Sequence, residues 1–225
     1  MKSAMSFARY FGVPVAVAGL AGALAAAPVQ AQQYPAKMVR VIVLFAPGGG
    51  SDLTARQFSA KLSEYLGQQF VVDNRRGAGG LIGMEMTAKS PPDGYTLMMM
   101  SGSFSATSAL RKPAFDPIRN IIPVAEFGIT PFVLTVHPSL PPKSVKELIA
   151  MAKAKPNALS FASPGVGSIT HLATELFLNM TKVNETVPGY DVELWFGAMA
   201  PRGTPEPIIN TVNAAINKAL VQADL

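Results

Sequence analysis

Two short segments of this chain combine glycine and serine in a pattern suited to anion binding. Gly48-Gly49-Gly50-Ser51-Asp52 and Gly165-Val166-Gly167-Ser168 each follow an apolar run, carry little side chain, and open a helical pattern at a serine. Such a turn exposes backbone N–H groups at the positive end of a helix dipole, where a carboxylate or phosphate oxygen is stabilised. Glycine lets the ligand approach the backbone, and the serine hydroxyl either caps the helix or reaches the anion. Ordinary capping would use the same residues in either loop alone; two such loops in one chain point to a ligand cleft. The first is not a Walker A motif, since Gly-Lys-Ser/Thr is absent, and it is not a spaced dinucleotide fingerprint.

A third glycine-rich segment, Gly77-Ala78-Gly79-Gly80, follows Asn74-Arg75-Arg76. One guanidinium can clamp a carboxylate, but adjacent arginines cannot both face one pocket, and a solvated pair is the simpler expectation. Ser101-Gly102-Ser103-Phe104-Ser105 follows another apolar run and offers neutral hydroxyl donors where open α/β sheets hold their ligands.

The catalytic alternatives fail on counting. There is no Gly-x-Ser-x-Gly elbow and no Ser-x-x-Lys, and the chain has only two histidines. A serine hydrolase built on Ser168 and His171 lacks an acid partner. His171 and Glu175 stand four apart, a metal-compatible spacing, but with no third ligand a surface or packing pair is expected. No catalytic residue, metal or cofactor is therefore expected. Met98-Met99-Met100 reads as core filler, and Trp195 and Phe196 as core aromatics.

Composition agrees with a small-molecule binder. The 225 residues include no cysteine, which excludes a disulfide framework and thiolate chemistry. Lys and Arg number 19 against 14 Asp and Glu, with no long basic run, which argues against nucleic acid. At the start, Lys2 and Arg9 precede an uncharged stretch from Val13 to Ala27, and Val29-Gln30-Ala31 offers a small-residue cleavage site. Residues 1–31 thus read as a signal peptide cleaved after Ala31, and the remainder as an exported protein.

The elements that must position these loops follow an α/β rhythm. Val39–Phe45, Gln69–Asp73 and Tyr95–Met100 are apolar, β-branched runs read as strands. The helical patterns between them run from Ser51–Asp52 to Leu66 and over Leu81–Lys89, as a parallel sheet covered by helices requires. The second half is less regular. Short strands are expected at Val124–Phe127, Phe132–Val136, Leu159–Phe161 and Val192–Phe196. Helices are expected at Val145–Lys155 behind Ser144, from the Ser163–Ser168 segment to Asn179, and over Glu206–Gln222.

Taken in order, these segments resemble a known family. Pro47–Asp52 with Ala55-Arg56, Val72–Arg75 with Gly77–Gly80 and Gly83, and Pro92-Asp93-Gly94-Tyr95-Thr96-Leu97 begin the series. Ser163–Ser168 with His171-Leu172, Val187–Tyr190 with Trp195-Phe196-Gly197, Ala200-Pro201 and Gly203-Thr204-Pro205 continue it. No single motif is specific, but the ordered set resembles the Bug (TctC-like) family, the extracytoplasmic substrate-binding proteins of tripartite tricarboxylate transporters.

That resemblance implies a two-lobed periplasmic-binding-protein fold, a Venus flytrap of type II-like architecture. The first α/β lobe would span residues 32–128 and the second 129–225, with the last helix (206–222) packing on either. It further implies a monomeric periplasmic receptor that captures a small organic carboxylate and presents it to membrane transporter subunits. Mapped residue by residue, the implied contacts are Phe45, Pro47, Gly48, Gly49, Ser51 and Asp52 with Ser101 and Ser103 from the first lobe. Ser163, Gly165, Gly167 and Ser168 complete them from the second. One departure stands out. Met180-Thr181-Lys182 runs almost directly into Glu185–Tyr190, a segment that belongs much later in the family, so an internal truncation near 180–186 leaves the second lobe incomplete. A non-binding remnant of such a receptor is the alternative to a working one.

Overall fold

Four of the five residues of Val39–Val43 are β-branched, and all but Arg40 are buried, so this run forms a central strand, β1. The computed structural model describes residues 34–155, 158–181 and 193–222; the expected signal peptide (1–31) lies outside them. Helix α1 (Gly50–Leu66) follows β1 and ends where Gly67 turns left-handed at φ +68°. Next come β2 (Phe70–Asn74), a single 3₁₀ turn (Ala78–Gly80), α2 (Leu81–Ala88) and β3 (Thr96–Ser101). The chain continues through α3 (Ser103–Leu110), α4 (Pro117–Asn120) and β4 (Ile121–Pro131). It then forms α5 (Val145–Ala154), α6 (Ile169–Thr181), β5 (Glu193–Pro201) and α7 (Glu206–Leu220). No helix among the described residues is long and apolar enough to cross a membrane.

The strands form one five-stranded sheet in the order β2-β1-β3-β5-β4. The first three are parallel, with Val41 opposite Val72 on one side and Leu97 on the other. Alternation along each strand sends side chains to two cores. Val39, Val41, Val43, Leu97, Met99, Ala198 and Ala200 meet Ala55, Phe58 and Leu62 of α1 and Val212, Ile216 and Ala219 of α7. On the opposite face Ile42, Leu44, Met98, Met100 and Met199 meet Met84 of α2 and Phe104 of α3. The methionine run therefore serves both cores in turn.

Several expectations are corrected. The sheet is mixed, because β5 enters antiparallel between β3 and β4 and brings the end of the chain into the sheet that Val39 begins. The segments Val124–Phe127 and Phe132–Val136 are not two strands. A single β4 runs from Ile121 to Pro131, passing Gly128 at φ +150° through a local register shift. Among the described residues the ladder ends at the Pro131–Glu193 pair, and 132–136 form no strand. Leu159–Phe161 is not a strand, and Phe161 is exposed. Helix α3 is an addition to the expected elements. The final helix packs on α1 and β4: Asn213 Nδ2 donates to the Val124 carbonyl at 2.7 Å, and Lys218 Nζ lies 3.9 Å from the Tyr65 ring centroid. The Val187–Tyr190 motif and most of the expected truncation point lie outside the described residues.

Candidate ligand-binding site

Strand order points to one end of the sheet as the candidate site. β1 leads into α1 on one face of the sheet, whereas its neighbour β3 leads into α3 on the other. Where adjacent parallel strands send their connections to opposite faces, a crevice opens at the carboxyl ends. The loop carrying Phe45–Gly49 and the Ser101–Ser103 segment stand at that end of β1 and β3.

The first loop is shaped from below by Asp52. Its carboxylate is buried and accepts from the Gly48 N–H at 2.9 Å, Arg56 Nε at 3.0 Å and Asn74 Nδ2 at 3.0 Å. The Arg56 hydrogen bond is the strongest influence holding the Asp52 pKa down at about 2, with the Gly48 and Asn74 bonds adding to it against the cost of burial. The residue types predict that Ser51 and Asp52 cap α1. The N-cap is instead Gly49, with no side-chain cap, and Asp52 reaches back past it from the first turn. Asp52 thus has both oxygens engaged within the protein and fixes the loop, while Pro47, Gly48 and Gly49 stay exposed and Ser51 and Phe45 are half-buried.

Phe196 joins this loop to the end of β3. A Cβ on Gly50 would lie 3.3 Å from its ring, and Phe196 is the cross-strand partner of Ser101. Ser101 and Ser103 are both buried, and the Ser101 hydroxyl accepts the Ser103 N–H at 3.4 Å. The hydroxyl of Ser103 accepts the Ile169 N–H at 3.0 Å, so the start of α6 docks directly on the start of α3. Ser168, fully buried, caps α6 by accepting the His171 N–H at 3.2 Å. Gly167 is buried beside it, and Ser163 and Gly165 are half-buried.

The third glycine-rich segment meets the second loop as well. A Cβ on Gly79 would lie 2.8 Å from the Val166 carbonyl oxygen, a close approach that leaves room for no side chain. Thr107 Oγ1 donates to the Gly79 carbonyl at 2.7 Å, and Arg111 reaches the Val166 carbonyl at 3.4 Å. Arg75 pairs with Asp73 at 2.9 Å and Arg76 is exposed, so neither is drawn into the loops.

All three glycine loops and the serine segment therefore gather at one end of the sheet, linked through Phe196 on one face and α3 on the other. Trp195 and Phe196 pack against the two cores while flanking Gly102 and Gly50. The residues missed from sequence are Asn74, Thr107 and Arg111. Thr107 and Arg111 stand four and eight residues after Ser103, a stripe that becomes visible only once the helix is known. His171 and Glu175 approach to 3.8 Å as a pair on the face of α6.

Comparison with known proteins identifies the family. Residues 54–186 match the model of the tripartite tricarboxylate transporter family receptor, TctC. BugT of Bordetella pertussis is 33% identical over 274 residues, covering 93% of this chain and 82% of BugT. An alignment of 274 residues exceeds a chain of 225, so BugT carries internal residues with no counterpart here. An R. palustris protein solved with adipate superposes with TM-score 0.77 at 31% identity, over 81% of this chain and 83% of its own. MatC from Rhodopseudomonas palustris with bound malate gives TM-score 0.78 at 27% identity, over 85% and 87%. With most of its length matched in sequence and in fold, this chain belongs to the TctC family of tripartite tricarboxylate transporter receptors.

Proposed function

We propose that this protein is an extracytoplasmic solute-binding receptor that captures a small organic carboxylate for the membrane subunits of a tripartite tricarboxylate transporter. The observation that carries the reading is the convergence of glycine-rich helix starts and serine hydroxyls on the crevice between β1 and β3. Neutral N–H and O–H groups of these types satisfy a carboxylate through several hydrogen bonds without a buried counter-charge. The neighbours solved with adipate and malate support a dicarboxylate. The ligand contacts in this proposal are Phe45, Pro47, Gly48, Gly49, Ser51, Ser101, Ser103, Ser163, Gly165, Gly167 and Ser168, with Asp52 acting through the shape of its loop.

In the same reading residues 1–31 direct export and are removed after Ala31, and the mature protein works in the periplasm as a monomer without catalysis. The boundary expected at 128/129 falls inside β4. The sheet with α7 therefore acts as one lobe and the segment carrying α5 and α6 as what remains of the other, the two closing on the ligand. Titration calorimetry and thermal melting with adipate, malate and a tricarboxylate test it: saturable binding with a raised melting temperature is expected, and none across the panel overturns it.

The internal shortening relative to BugT favours a second reading, a receptor remnant that folds without binding. Restoring a relative's internal segment separates the two: gain of binding by the restored chain alone supports the remnant.

A further inference from the structure

Helix α3 and the residue that follows it present one stripe to the second loop. Ser103, Thr107 and Arg111, at four-residue spacing, touch Ile169, Gly167 and Val166 in turn. Thr107 is at the centre and fully buried. Its hydroxyl lies 2.7 Å from the Gly79 carbonyl and 3.5 Å from the Gly167 carbonyl, on two loops that approach each other. A hydroxyl has one proton, so it donates to Gly79 here, while its rotation brings the Gly167 carbonyl within reach. The contact is enforced on the other side by Gly79, whose missing side chain lets the Val166 carbonyl come close.

We propose that Thr107 is a positioning residue for ligand binding: its hydroxyl, through Gly79 and Gly167, sets the placement of the Gly165–Ser168 loop and with it the ligand contacts that this loop carries. The proposal rests on the carboxylate reading for its consequence, but the placement itself is measurable without ligand. Burying a methyl in place of the hydroxyl leaves the Gly79 carbonyl without its donor and frees the loop it faces.

The test compares the full mature chain with Thr107→Val and Thr107→Ser, reading amide hydrogen exchange at Ser168 and Ile169 and the affinity for adipate and malate. Thr107→Val is expected to lower protection of the Ile169 amide about tenfold and to weaken carboxylate binding about tenfold, with Thr107→Ser restoring both. The ligand-induced rise in melting temperature shrinks in Thr107→Val. A merely structural loss would lower the free and bound melting temperatures equally and leave that rise unchanged. Unaltered Ile169 protection in a folded Thr107→Val protein overturns the proposal, as does unaltered carboxylate affinity. Should Thr107→Val not fold, Thr107→Ala removes the hydroxyl without pressing a methyl on the Gly79 carbonyl and is read the same way. If the unsubstituted protein binds no carboxylate, the functional reading fails, and the exchange measurement alone decides the placement.

Discussion

Asn74 donates from one side-chain amide to two acceptors, Asp52 Oδ1 at 3.0 Å and the Phe45 carbonyl at 3.0 Å. Through that group the end of β2 grips both ends of the loop that leaves β1. The exposed glycines Gly48 and Gly49 therefore sit on a braced frame, with Gly48 N–H tied to the same carboxylate.

This brace makes Asp52 an acid-sensitive point. Its pKa of about 2 lies below the ordinary 3.8, so the folded protein favours the charged form. The stabilisation is present above the ordinary value and is lost as pH falls through about 2. Chemical denaturation at pH 7 is expected to show Asp52→Asn less stable by about 2 kcal/mol, as for loss of a buried charged hydrogen-bond cluster. Between pH 4 and pH 2 the unsubstituted protein loses stability more steeply than the variant; parallel profiles would contradict the brace.

Two left-handed glycines should respond differently to alanine. Gly48, at φ +88°, has open space where a Cβ would stand, whereas a Cβ on Gly79, at φ +69°, would meet the Val166 carbonyl at 2.8 Å. Gly48→Ala is expected to cost about 1 kcal/mol from backbone strain alone, and Gly79→Ala about 3 kcal/mol, since the second loop must also move. Urea unfolding of both variants measures the difference, and equal losses would mean that the Gly79 approach is not tight.

Phe196 links the first loop to Ser101, so its truncation should disturb both. Phe196→Ala is expected to cost about 2 kcal/mol, less than a fully buried phenylalanine because the ring is half-buried. Carboxylate affinity should fall with it, and calorimetry showing full affinity would place the ligand away from Gly50 and Ser101.

Ile216 tests whether α7 belongs to the main core. It is fully buried against the sheet, while Val221 beyond the helix is 84% exposed. Thermal or urea unfolding should show Ile216→Ala losing about 2–5 kcal/mol and Val221→Ala changing stability by under about 0.5 kcal/mol.

Much of this is legible in the residues. The β-branched run of β1, the glycine after α1 and the Ser144 cap, whose hydroxyl accepts the Glu147 N–H at 3.2 Å, act within a few residues of themselves. The glycine-serine loops are legible for the same reason, since a helix start needs only its own turn. Phe132–Val136 misleads because its apolar, branched residues suit a strand, yet a strand needs packing as well as propensity, and Val133, Leu134 and Val136 stay exposed.

The sequence by itself determined the α/β rhythm, the positions of the glycine loops and the family. Local backbone preferences, side-chain periodicity and ordered motifs are written in contiguous residues. Tertiary structure alone decided that β5 inserts between β3 and β4, that Asp52 braces its loop, and that Thr107 faces Gly79 and Gly167. Those relationships join residues far apart in the chain, as Met98 and Met199 are in the sheet. They follow from which apolar faces must be covered and which buried polar groups must find partners, and that competition is settled only when the whole chain packs.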